Sequence, residues 1–162
     1  MRISRLLSLL AATVMLFAAA SAGAQAPPPY GAAITNEQAK KVMAGAEAEA
    51  KKNNWPVVIV VVDAGGNLVM LNRLDNAQWG SLEVAKDKAR SAVAFRRPTK
   101  VFQDLISQGG GNIRLLNLSG ASMLEGGIPI VVEGKIIGAV GVSGVASQQD
   151  AQIGQAGIEA LK

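Results

Sequence analysis

Five groups of residues carry the chemistry this sequence can offer. Lys86, Arg90 and Arg97 recur along one stretch of helical character. At about 100° per residue they fall within about 40° of one another. Cations aligned in that way can hold a dicarboxylate by charge-assisted hydrogen bonds, or simply form a solvated face. Ser81 and Lys88 share a second line of the same helix, at the border of its apolar stripe. A lysine there snorkels to solvent or points into a cleft. Arg73 and Asp75 alternate on an expected strand, so they face one side. They could pair with each other, pair with a neighbouring subunit, or orient a small acid. Glu125-Gly126-Gly127-Ile128-Pro129 holds paired glycines that let the backbone approach a ligand or another chain, or that only turn tightly into a strand. Gly141 and Gly144, around Val142-Ser143, raise the same question. Asp150 opens the last expected helix, where it suits the macrodipole as a cap and is also a candidate ligand contact.

What is missing narrows the chemistry further. Histidine and cysteine are both absent. That removes thiolate nucleophiles, disulfides, the usual general base and the usual zinc and haem ligands. Ser143 in Gly-Val-Ser-Gly has no histidine partner, so a hydrolase triad is excluded. The glycine motifs lack the G-x-G-x-x-G order of a dinucleotide site. Glu47 and Glu49 are two apart on a helix and diverge, so no acidic metal site is evident. Aromatics are only 4% of the chain, too few for a nucleic-acid stacking platform. Asp63 lies at the mouth of a turn, where aspartate commonly bonds backbone amides, and reads as structural.

These residues sit in a chain of 162, enough for one domain, with 49% hydrophobic residues that exclude intrinsic disorder. Residues 1–24 read as a secretory signal: Arg2 and Arg5, an apolar run from Leu6 to Ala20, then Ala22-Gly23-Ala24. Its removal leaves 14 basic and 12 acidic side chains, a net charge of +2, so the basicity is mostly signal. The expected location is periplasmic or secreted, with no membrane span in the mature chain and no nucleic-acid partner. Residues 25–34, with three prolines, read as a flexible leader, and 35–162 as the domain.

Within that domain, Thr35 and Gln38 form a capping box for a helix ending near Lys52. Val57 to Val62, six β-branched residues in a row, predict a strand buried on both faces. Asp63 to Asn67 make a hairpin turn, and Leu68 to Leu74 the return strand. A helix from Ser81 to about Arg96 is broken at Pro98, with a short helix over Lys100–Gln108 beyond it. Asn112–Ser119 could be a strand or irregular. Ile128–Glu133 and Ile136–Ser143 predict a second hairpin, and Ser147 with Asp150 a capping box for the last helix. The order predicts an α+β domain with an antiparallel sheet of about five strands and flanking helices.

Four segments taken together resemble a known family. They are NNWPVVIVVVDAGGNLVMLNRLDNA (53–77), AKDKARSAVAF (85–95), GGIPIVVEGKIIGAVGVSG (126–144) and QQDAQIGQAGIEAL (148–161). The chain resembles the GlcG/HbpS-type haem-binding, or haem-degrading, family, which also supplies the C-terminal domain of PduO-type proteins. That resemblance implies a profilin-like or PAS-like domain, homo-oligomers up to octamers, binding of haem and iron, and a two-component sensor partner for some members. Other members are accessory proteins of glycolate or cobalamin metabolism. Lys88 belongs to the family-like Lys-Ala pair, and the basic row Lys86, Arg90 and Arg97 becomes a candidate for haem propionates. The chain departs from the family pattern at Asn67, where a histidine is usual, at Leu74 and Asn76, and at Val145. With no histidine, the axial donors left are Tyr30, Met43, Met70, Met123, deprotonated lysines, hydroxyls and water. Methionine more commonly acts beside a histidine.

Three functions follow as expectations. The first is an exported haem-binding protein that stores, carries or senses haem or iron without defined catalysis. The second is a binding module for a small organic acid, using Arg73, Lys88 and Arg90. The third is a regulatory oligomer that binds another protein. The glycine-rich 126–145 hairpin is expected to be too apolar for a free edge, which points to a homo-oligomer.

Overall fold

The computed structural model describes residues 26–162; the expected signal, 1–24, lies outside the described residues. The elements are α1 (Asn36–Lys52), β1 (Val58–Asp63), β2 (Leu68–Arg73), α2 (Ser81–Ala94), α3 (Lys100–Ser107), a 3-10 segment (Gly110–Asn117), β3 (Gly127–Val132), β4 (Lys135–Ser143) and α4 (Ser147–Glu159). The four strands form one antiparallel sheet in the order β2-β1-β4-β3. The α+β class is borne out, with four strands rather than about five. Asn112–Ser119 supplies no strand, because most of it lies in the 3-10 segment.

The β-branched run explains the layering. Val57, Ile59 and Val61 face α1 and α4, where Val42, Met43, Ala46 and Ile153 close one core. Val58, Val60 and Val62 face α2, whose Ala85, Ala89 and Ala92 close the other. β1 is therefore buried on both faces, as its composition predicts. The small residues of α2 let the helix lie close on β4. A Cβ on Gly141 would stand only 2.1 Å from the carbonyl oxygen of Ala85, so glycine is required at this crossing.

The two ends of the first half behave differently from each other. Thr35 caps α1 with the full box expected: its hydroxyl accepts from Gln38 N–H, and the Gln38 side chain accepts from Thr35 N–H. Within 25–34, expected as a flexible leader, several groups are tied down. Gly31 N–H donates to Ile136 O at 2.8 Å, Ile136 N–H donates to Pro29 O at 2.8 Å, and Ile34 is buried. The Tyr30 hydroxyl donates to Val93 O at 2.8 Å.

The second hairpin supplies one edge of the sheet through β3, while its more apolar strand is internal. β4 lies inside the sheet between β1 and β3, and helices cover its faces, so its apolar content reflects core position. Exposed apolar side chains include Ile113, Leu116, Leu118 and Leu124 in the segment between α3 and β3, and Val131 on β3 itself. None of the described helices is long and apolar enough to cross a membrane.

Candidate functional site

The most deeply buried charges among the described residues are Lys88 and Asp150, each 2% exposed. Lys88 projects from the sheet-facing side of α2, three residues after Ala85 and two turns on from Ser81. Its Nζ donates to Asp150 Oδ2 at 2.7 Å and to Val142 O at 2.9 Å. Asp150 Oδ1 accepts from Val145 N–H at 3.2 Å. One ion pair thus ties α2 to the end of β4 and the first turn of α4. The lysine neither snorkels nor opens into a cleft, because the sheet offers it a carbonyl and a carboxylate. Burial is the largest influence on both groups: it pushes the Lys88 ammonium down and the Asp150 carboxyl up, against their mutual hydrogen bond.

Asp150 is therefore more than a cap. The residue flanking the start of α4 is Ala146, whose N–H donates to Gln149 Oε1 at 3.1 Å, and Ser147 lies inside the helix. The Ser147–Asp150 capping box is corrected accordingly.

Gly126 and Gly127 sit directly against this pair. A Cβ on Gly126 would come 2.8 Å from Lys88 Nζ, and one on Gly127 would come 2.1 Å from Lys88 O. The glycines serve the close approach of α2, and Thr99 locks them: Gly127 N–H donates to Thr99 Oγ1 at 2.9 Å and Thr99 N–H donates to Gly127 O at 2.9 Å. Next to them is a 330 Å³ cavity with Glu125 on its wall. Sequence reasoning missed Glu125 as a site residue, although it opens the Glu-Gly-Gly-Ile-Pro motif. Ser81, which helical phase places on one line with Lys88, is buried and accepts from Ser143 Oγ at 3.1 Å.

The basic row does not survive intact. α2 ends at Ala94, and Arg96 takes φ 53°, a left-handed conformation that stops the helix before Pro98. Arg97 therefore leaves the helical line; its Nε donates to Phe95 O and its guanidinium stands 5.7 Å from the Phe102 ring. Lys86 pairs with Glu83 at 2.8 Å. Arg90 lies on the wall of a 520 Å³ cleft with Val84, Asp87, Ala121, Ser122 and Leu124.

Arg73 and Asp75 do not pair either. β2 ends at Arg73 and Asp75 lies in the turn beyond, so strand alternation no longer applies. The Arg73 guanidinium stacks 4.2 Å from the Trp79 ring. Both residues border a 540 Å³ open cleft with Trp55 and Lys51. Asp63 is structural as read: Oδ1 accepts from Gly65 N–H at 2.8 Å and Asn67 N–H at 2.9 Å. Asn67, at the position of the family's usual histidine, donates its side-chain amide to the same carboxylate.

The domain thus carries a buried ion pair between its sheet and helices and open clefts at its rim. The chain belongs to the family described as haem degrading protein HbpS-like, whose model matches residues 34–159. Protein GlcG of Escherichia coli K12 is 39% identical over 89 residues, 55% of this chain and 65% of that protein, so the match spans just under two thirds of that relative. An HbpS double mutant from Streptomyces reticuli superposes with a TM-score of 0.74 at 30% identity, over 82% of this chain and 89% of that one. A PduOC structure solved as a haem complex superposes at 0.72 with 28% identity, over 79% and 94%.

Several of the candidate axial donors for haem are engaged elsewhere, and Met70 packs against the core. Met43 is in the core, Lys88 is committed to Asp150, and the Tyr30 hydroxyl is committed to Val93 O. Met123 lies between Ser122 and Leu124, two lining residues of the Arg90 cleft. Among the described residues no group of three or more His, Cys, Asp or Glu is arranged to hold a metal ion.

Proposed function

We propose that this chain binds haem, as an exported protein that stores, carries or senses haem rather than transforming it. The likeness to the PduOC haem complex over 79% of the chain is the observation that carries this reading. The Arg90 cleft supports it: its 520 Å³ lies in the range of small-molecule sites, its walls at Val84, Ala121 and Leu124 are apolar, and Arg90 offers a cation for a propionate, with Asp87 also on the wall. Iron enters with haem rather than at a separate carboxylate site. Haem supplies redox and gas-binding chemistry when bound; the chain's own residues supply the apolar enclosure and the counter-charge. Titration of the mature protein with haemin, followed through the Soret band, should saturate near one haem per chain. Absence of saturable binding would overturn the proposal.

The same proposal extends to the setting of the protein. Residues 1–24 direct export and are removed, leaving a periplasmic or secreted chain. The exposed Ile113, Leu116, Leu118 and Leu124 cover one another between copies in a homo-oligomer. A two-component sensor protein is the partner a sensing role requires. Light scattering at micromolar concentration should give several times the monomer mass, and a clean monomer would contradict the oligomer.

A further inference from the structure

The charges around the glycine pair do not cancel. Lys88 is taken by Asp150 at 2.7 Å, and Lys100 by Asp104, whose two oxygens both lie 2.8 Å from Nζ. Glu125 is 8% exposed and forms no ion pair among the described residues. Its Oε2 accepts from Gln103 Nε2 at 3.3 Å, and its own N–H donates to Gln103 Oε1 at 2.9 Å, so the glutamine fixes the residue in place. No described donor reaches Oε1. No described side-chain polar atom is fully enclosed without a partner, so Oε1 meets open space. Glu125 lines the 330 Å³ cavity together with the apolar Pro98, Ile128 and Ala151, the amides of Gln152 and Gln155, and Lys100, whose ammonium is paired with Asp104.

A carboxylate held at the wall of a small, mostly apolar cavity, with neighbouring cations already neutralised, selects a cation with an apolar body. We propose that this cavity is a second ligand site, distinct from the Arg90 cleft, which binds a small primary ammonium ligand through Glu125. The ammonium donates to Glu125 Oε1, and the short aliphatic body packs against Ile128, Pro98 and Ala151. The Gln152 and Gln155 amides supply its remaining hydrogen-bond partners. No aromatic ring lines the cavity, so the recognition is by charge-assisted hydrogen bonding rather than by a cation–π cage.

The probe is n-butylammonium, with butyrate and butanol as controls of equal length, followed by amide chemical shifts of the mature protein. Butylammonium should shift the Glu125, Ile128, Ala151 and Gln152 signals and saturate at millimolar concentration. Glu125→Gln should weaken it by about tenfold, the scale of one charge-assisted hydrogen bond. Ala151→Leu, which fills the cavity and keeps the carboxylate, should weaken it equally and stands in if Glu125→Gln misfolds. Equal binding of butyrate or butanol, or unchanged binding in the folded variants, would overturn the proposal. Haemin titration of the same variants should be unchanged, which separates this site from the haem reading.

Discussion

Two aspartates of this domain receive backbone N–H groups at the start of a turn, and their environments drive them in opposite directions. Asp63 lies at the rim of the β1–β2 turn, where bonds from Asn67 and Gly65 hold its carboxyl below the ordinary aspartate value. Asp150 accepts from Val145 N–H and carries a lysine as well, yet burial pushes its carboxyl up. Hydrogen bonding to an ionised group wins where water still screens it, and desolvation wins between packed layers. The buried pair therefore contributes less net stability than its 2.7 Å geometry suggests, while its half-removal is expensive.

The largest effect should come from breaking that pair. Lys88→Met leaves Asp150 buried and unpaired and should cost about 3–5 kcal/mol in urea unfolding. The double change Lys88→Met with Asp150→Leu should recover most of the loss. A double variant no better than the single one would show that the pair is intrinsically stabilising. Gly141→Ala comes next. Its Cβ would meet the Ala85 carbonyl at 2.1 Å, so α2 must lift from β4, at about 1–3 kcal/mol. A neutral result would mean the helix has slack at the crossing.

The pH dependence sharpens the comparison. Asp63, with its folded pKa lowered, contributes stability that is present above the ordinary value of 3.8 and lost as pH falls through the lowered one. Asp150, with its folded pKa raised, is the reverse. Its ionisation costs stability, and that cost builds up as pH rises from 3.8 through the raised value. On acidification from pH 7, Asp63→Asn should lose less stability than the parent. Parallel curves would contradict the assignment. The smallest effect is Asn67→Ala, which removes the amide contacts to Asp63 and should cost about 0.5–1.5 kcal/mol by thermal unfolding.

Most of the fold was legible because local rules and tertiary demand agree. The Val57–Val62 run, the Thr35–Gln38 box and the turn around Asp63 each fold as their residue types require. Helical phase was legible too, since it placed Ser81 and Lys88 together on one line of α2. It could not say what lay opposite. The partner of Lys88 is 62 residues away, and pairing at that range depends on packing of α4 that no spacing encodes. The basic row failed for a local reason: Arg96 adopts a left-handed conformation ahead of Pro98, so Arg97 is off the helix. Glu125 was passed over because a carboxylate beside two glycines looks like a turn residue until Gln103 and the cavity are seen around it.

The central claim is that haem is held by enclosure and charge in the Arg90 cleft, without a histidine. Paired haemin titrations of the protein and its Arg90→Ala variant, at low and high salt, test this most directly. The account predicts saturation near one haem per chain in the parent. In the variant it predicts binding weaker by about three- to tenfold, a difference that shrinks as salt screens the propionate contact. Identical dissociation constants at both salt concentrations, or no saturable binding by the parent, would contradict it.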